Sequence, residues 1–141
     1  MLAVPLFGDM SWKVARGEFL GATDPASARE GSVRRVLHER REVWGADLMR
    51  GGMNGVHLSA GPLEALVELR RFGSDQGAGA GECACTDFLF GRQLAAHFSP
   101  ERIGWMMGNP DVVVDGKKMS LFDLTEEQEP DEAVAILKRV L

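Results

Sequence analysis

The chain alternates short apolar runs with breaks marked by glycine and proline, and the spacing of its apolar positions changes along its length. Ala3 to Phe7 is an apolar run that ends at the turn-like Gly8-Asp9, and Lys13 to Leu20 mixes β-forming residues with Gly17. These stretches read as short N-terminal strands, with Trp12, Val14 and Phe19 available for an apolar face. Thr23 to Ser27 reads as a turn and a helix start, because Asp24 can cap and Pro25 suits a first helical position. Between Arg29 and Met49, the residues Val33, Val36, Leu37, Trp44 and Leu48 recur at intervals of three, four, seven and eight. That spacing predicts one amphipathic helix. Its other face, with Arg34, Arg35, Glu39, Arg40, Arg41 and Glu42, then lies in solvent.

Val56 to Leu58 has room only for a brief strand. A second helix is expected from Ser59 and Gly61-Pro62 onward, burying Leu63, Leu66, Val67 and the stretch Leu69 to Phe72. Gly73 to Glu82 contains Gly73, Gly77, Gly79 and Gly81 among small residues and reads as a flexible linker. Cys85 to Phe98 returns to helical spacing through Phe88, Leu89, Leu94 and Ala95. Gly91 interrupts it at a cost of about 1 kcal/mol relative to alanine. Ser99 and Pro100 open a short helix that should end near Gly108. Val112 to Val114, followed by Asp115-Gly116, predicts a tight hairpin with Met119 to Leu124 as its return arm. A last helix begins either at Thr125, through a capping box to Gln128, or at Pro130, and carries an apolar face from Ala133 to Leu141.

Together these elements describe a mixed, helix-rich α+β chain with short N-terminal strands, four or five helices and one C-terminal hairpin. Three parts are expected: residues 1–72 as an N-terminal α/β part, 73–82 as the linker, and 83–141 as a C-terminal helical part. One compact domain overall is the alternative to this division. The 141 residues suffice for one ordinary domain.

Composition narrows the function classes. With 45% hydrophobic and 26% charged residues, the chain is of globular type. No apolar run is long enough to span a bilayer, and Met1 to Phe7 lacks a basic start and soon meets Asp9, so a cytoplasmic protein without a membrane partner is expected. A net charge of −5 disfavours nucleic acid held on a basic face. Gly77 to Gly81 lacks the lysine and serine or threonine that end a phosphate loop.

The candidate chemistry is sparse. Cys83 and Cys85, one residue apart, could join His97 or His57 in a zinc site or supply a nucleophile, but no second cysteine pair completes a tetrahedral set. The acidic residues from Asp111 to Glu132 do not follow the alternation of a calcium loop. We therefore expect no catalytic residue, no metal and no cofactor. Trp105, Met106 and Met107 sit together on a short helix, and successive residues on a helix point about 100° apart, so the three cannot all be buried on one face. With Met119 and Phe122 from the hairpin segment, they form the expected protein-binding surface, since aromatic and methionine side chains are common interface anchors.

Residues 102–141 carry, in order, Trp105-Met106, Asn109-Pro110, Val114-Asp115-Gly116, Leu121 and a helix start at Thr125-Glu126. This order resembles the C-terminal toxin-binding region of Xre/MbcA/ParS-type antitoxins, with Met119 where that family has proline and Phe122 where it has leucine. The resemblance implies a small regulator that binds and blocks an NAD-consuming toxin. The expected function is thus a non-enzymatic protein-binding module whose partner is another protein chain, either a copy of itself in a homo-oligomer or a cognate protein. The alternatives are a phage-type or other self-assembling structural component, and a small enzyme or metal protein using Cys83, Cys85 and His97.

Overall fold

The computed structural model describes residues 9–43, 45, 50–73 and 83–141. It is a mixed helical fold with one two-stranded antiparallel sheet, arranged as two compact units, Met1–Leu58 and Ser59–Leu141. The expected strand at Ala3 to Phe7 and residues 74–82 of the glycine-rich linker lie outside the described residues.

In the first unit, the stretch expected as a strand is helical. Ser11 accepts a hydrogen bond from the Val14 amide and starts α1, Trp12–Val14, which runs on into a π-helical turn, Ala15–Leu20. The correction follows from which residues are buried. Ala15 and Leu20 go inside, whereas Val14 and Phe19 remain exposed. Those buried positions are five apart, the interval at which i→i+5 hydrogen bonding brings residues to one face. The turn closes with the Gly21 amide on the Arg16 carbonyl, and Gly21 itself takes a φ of 90°.

Helix α2 covers only Val33–Glu39, shorter than the Arg29 to Met49 span expected. Gly31, at φ 78°, breaks the chain before Ser32, and Arg40 ends the helix. Trp44, Leu48 and Met49 lie outside the described residues. The basic face is not simply solvated. The Arg34 guanidinium is half-buried and donates to the carbonyls of Gly21 and Val56 at 2.8 and 3.4 Å. Arg35 donates to the Ala26 carbonyl at 2.6 Å. Burial, then the nearby Arg16 charge, lowers the pKa of Arg34 from its usual value. Val56 to Leu58 is irregular backbone rather than a strand.

Among its described residues, the second unit has five α-helices, a 3-10 turn and the hairpin. Helix α3 spans Pro62–Gly73. A 3-10 turn, Cys85–Asp87, leads into α4, Leu89–Ala95, so the single helix expected from Cys85 to Phe98 is divided in two. Helix α5 is Pro100–Met107, with Ser99 capping the Arg102 amide and the proline in the first turn, as the sequence predicts. Strands β1, Asp111–Val114, and β2, Lys117–Ser120, pair antiparallel in the register Val112 to Met119 and Val114 to Lys117. Asp115 and Gly116, with φ of 51° and 76°, form the two-residue loop, and positive φ at both positions matches the twist of a hairpin. The return arm stops at Ser120, which caps the short helix α6, Leu121–Leu124. The last helix, α7, is Pro130–Val140. It starts at Pro130 and not at Thr125, because Thr125 is fully buried and its hydroxyl donates back to the Leu121 carbonyl.

The core of this unit gathers Leu63 and Leu66 of α3, Phe90 and Leu94 of α4, Ile103 and Met106 of α5, Leu121 of α6, and Ala133, Val134 and Leu137 of α7. Helix α3 buries less of its second half than its pattern implied, since Leu69 and Phe72 stay exposed. Two glycines allow backbones to meet. A side chain at Gly91 would collide with the Cys85 carbonyl, and one at Gly61 with the Thr125 carbonyl. The cost that Gly91 imposes on α4 is therefore the condition for laying the 3-10 turn against that helix.

Gly91→Ala should lower stability by about 1–3 kcal/mol, since backbone must shift to admit the methyl group. Gly104→Ala meets nothing within 4 Å and should raise stability by roughly 0.5–1 kcal/mol through helix propensity alone. Urea denaturation of the two variants checks this, and a neutral Gly91→Ala would show that the close approach does not matter.

Candidate functional site

Helix α5 distributes its three large side chains in three ways. Met106 is fully buried in the core. Met107 is half-buried, packs against the core edge and receives a hydrogen bond from Arg70 to its sulfur at 3.6 Å. Trp105 points outward and is 41% exposed. The sequence-predicted surface therefore loses Met106, whose side chain has no area to offer a partner. A helix with Ile103 and Met106 on its inner line cannot turn Trp105 inward as well.

Trp105 is held on one side by its own helix. The Arg102 guanidinium lies 4.5 Å from the centre of the indole ring and donates to the Leu141 carbonyl at 3.1 Å. One arginine thus stacks on the tryptophan and ties the end of α7 to α5. A cation on an exposed aromatic face contributes about 0.5–1 kcal/mol and also limits the rotation of the ring.

The turn after α5 joins it to the hairpin. Asn109 adopts a left-handed φ of 51°, a conformation that asparagine tolerates after a helix end, and its amide bonds the Met106 carbonyl. Its side-chain oxygen accepts the Phe122 amide at 2.8 Å, and the Pro110 carbonyl accepts the Leu121 amide. Asn109-Pro110 therefore anchors the first turn of α6 to the last turn of α5. Phe122 is half-buried and, like Met107, packs against the core. Met119 is half-buried on β2 opposite Val112, while Val113 on the other face of β1 is exposed. An exposed ion pair joins Lys118 to Asp111 at 2.9 Å, and Asp111 raises the pKa of Lys118 by hydrogen bonding and charge. So exposed a pair is screened by salt and adds little stability.

The remaining candidates are dispersed. Cys83 and Cys85 are free, half-buried thiols. Cys85 packs against the core, and the Cys83 carbonyl accepts from Arg70 at 2.8 Å. His97 is exposed beside a cleft between α4 and α7. Among the described residues, no group of three histidine, cysteine, aspartate or glutamate side chains gathers in a way that could hold a metal. Among the same residues, no helix is long and apolar enough to cross a membrane.

The roles of Arg34, Arg102 and Asn109 were not readable beforehand. Only Asn109 left a signal, an asparagine before proline just beyond a helix. No family model, curated protein or solved structure matches the chain.

Met106→Ala should cost about 2–5 kcal/mol as a cavity opens in the core. Trp105→Ala removes mostly exposed ring and should cost no more than about 1–2 kcal/mol, including the lost stack on Arg102. Thermal and urea unfolding of the pair checks the assignment, and equal losses would place Trp105 in the core instead.

Proposed function

We propose that the chain is a non-enzymatic regulator that binds another protein through the exposed edge of its C-terminal unit, in the manner of an antitoxin. The observation that carries this reading is Trp105, a large aromatic side chain left 41% exposed on a helix whose inner line is locked in the core. A tryptophan held by a neighbouring arginine loses little rotational freedom on binding, and tryptophan and arginine are the residue types that dominate binding hot spots. Met107 and Phe122 lie at the core edge, and Met119 on β2 extends the apolar character of the segment. The order of elements also supports the resemblance. A helix carrying Trp105, the Asn109-Pro110 link, a hairpin turning at Gly116, a short helix at Leu121 and a terminal helix follow one another without interruption.

The occupant of this surface is then a cognate protein, and the resemblance identifies it as an enzyme that consumes NAD. The chain's own part is to cover that enzyme, without supplying a catalytic group. Affinity capture from the native host with the wild-type chain and with Trp105→Ala tests this. The wild type should retain one partner whose NAD consumption it inhibits. The variant, folded by circular dichroism, should bind that partner about 30-fold more weakly, the effect of losing a hot spot of about 2 kcal/mol. Equal binding by both chains, or a partner whose activity is unaffected, would sink the reading.

A further inference from the structure

The side of α7 that lines a cleft against α4, where Asp131, Ala135 and Lys138 are exposed and Val134 is buried, carries a pattern that is complementary to its own reverse. A cleft of about 350 Å³ lies between α4 and α7, and α7 lines it with Asp131, Val134, Ala135 and Lys138. The intervals between these residues are three, one and three, which read the same in both directions, with an acid at one end and a base at the other. When two copies of α7 run antiparallel about a two-fold axis between Val134 and Ala135, Asp131 of each meets Lys138 of the other. A two-fold interface requires this kind of self-complementary patch. A parallel arrangement would set like charges against each other.

The local structure suits the arrangement. Gln93 of α4 donates to one Asp131 carboxylate oxygen at 2.9 Å and so fixes that side chain at the cleft. Among the described residues, Lys138 has neither a hydrogen-bond nor an ion-pair partner. Ala96 and Ala135 give the cleft small walls, so a second helix can approach closely before its side chains collide. We propose that the cleft between α4 and α7 is a homodimer interface, occupied by α7 of a second copy of this chain in antiparallel orientation. This surface shares no residue with the one around Trp105, so its fate is independent of the proposed function.

Sedimentation equilibrium of the full chain, in the presence of a thiol reductant, tests the proposal. The wild type should dimerise reversibly, and more weakly as salt is raised. Asp131→Lys and Lys138→Asp each replace both attractive pairs by repulsive ones, so each variant alone should dimerise at least about tenfold more weakly. An equal mixture of the two variants restores both attractive pairs and should form a heterodimer of near wild-type affinity. Ala135→Glu, an exposed position beside the axis, should also abolish the dimer by bringing two carboxylates together. Circular dichroism reports that each variant is folded. A wild type that stays monomeric up to about 1 mM, a variant that dimerises alone as well as the wild type, or a mixture that fails to pair would overturn the proposal.

Discussion

Shared burial of a few apolar side chains from short helices is the constraint on which the second unit depends. Helix α6 has four residues, α4 seven and α5 eight, all below the roughly 12–15 residues at which an isolated helix becomes even marginally stable in water. None of them has a reason to exist alone. Each contributes one or two side chains to a common cluster, and each fully buried leucine or methionine contributes roughly 1.5–3 kcal/mol. Ile103, Met106 and Leu121 are therefore as responsible for the helices as the caps at Ser99 and Ser120 are.

So small a cluster leaves little space between elements, and the connections carry correspondingly specific residues. Gly61 and Gly91 are places where one backbone touches another. Asn109 uses a left-handed backbone and a side-chain oxygen to turn the chain from α5 and to hold α6 at once. Thr125 hides its hydroxyl by returning it to the Leu121 carbonyl. The described part of the first unit shows a different set of contacts. Among its described residues, the buried apolar side chains are Ala15, Leu20, Pro25 and Ala28, too few for a comparable cluster. Among the same residues, Arg34, Arg35 and Asn54 donate to backbone carbonyls of Gly21, Ala26 and Thr23. Arg34 is partly desolvated for that purpose, which is why its pKa falls.

What remains outside the core is what the two proposals rest on. On α5 the inward line takes Ile103 and Met106 and leaves Trp105 to solvent, with Arg102 over its face. On α7 the inward line takes Ala133, Val134 and Leu137 and leaves Asp131, Ala135 and Lys138 outside. Both surfaces are by-products of helical geometry, since a helix with a hundred-degree step must expose whatever its buried stripe excludes. They differ in chemistry. One is an exposed tryptophan stacked with a cation, the other a pair of opposite charges around small residues.

Elements with strong local signals were legible in the chain itself. The Ser99-Pro100 start and Gly108 end of α5 and the Asp115-Gly116 hairpin turn follow from capping and turn chemistry that acts within a few residues, whereas the start of α7 stayed open between Thr125 and Pro130 until burial of Thr125 decided it. The need to leave one of Trp105, Met106 and Met107 outside also followed from helical geometry alone. Which of the three goes outside did not, because it depends on how α5 is rotated against α3, α4 and α7. The same limit explains the helix at Trp12 to Leu20, whose mixed pattern fits a strand until Ala15 and Leu20 find the same interior. It explains the guanidinium of Arg34, which looks like part of a solvated face until Gly21 and Val56 come within reach. Sequence by itself determined the start of α5 and the hairpin turn, because the Ser99 cap, Pro100 and the positive-φ pair Asp115-Gly116 act on their immediate neighbours. Tertiary structure alone decided which face of each element lies inside, because burial is a property of the partner that covers it.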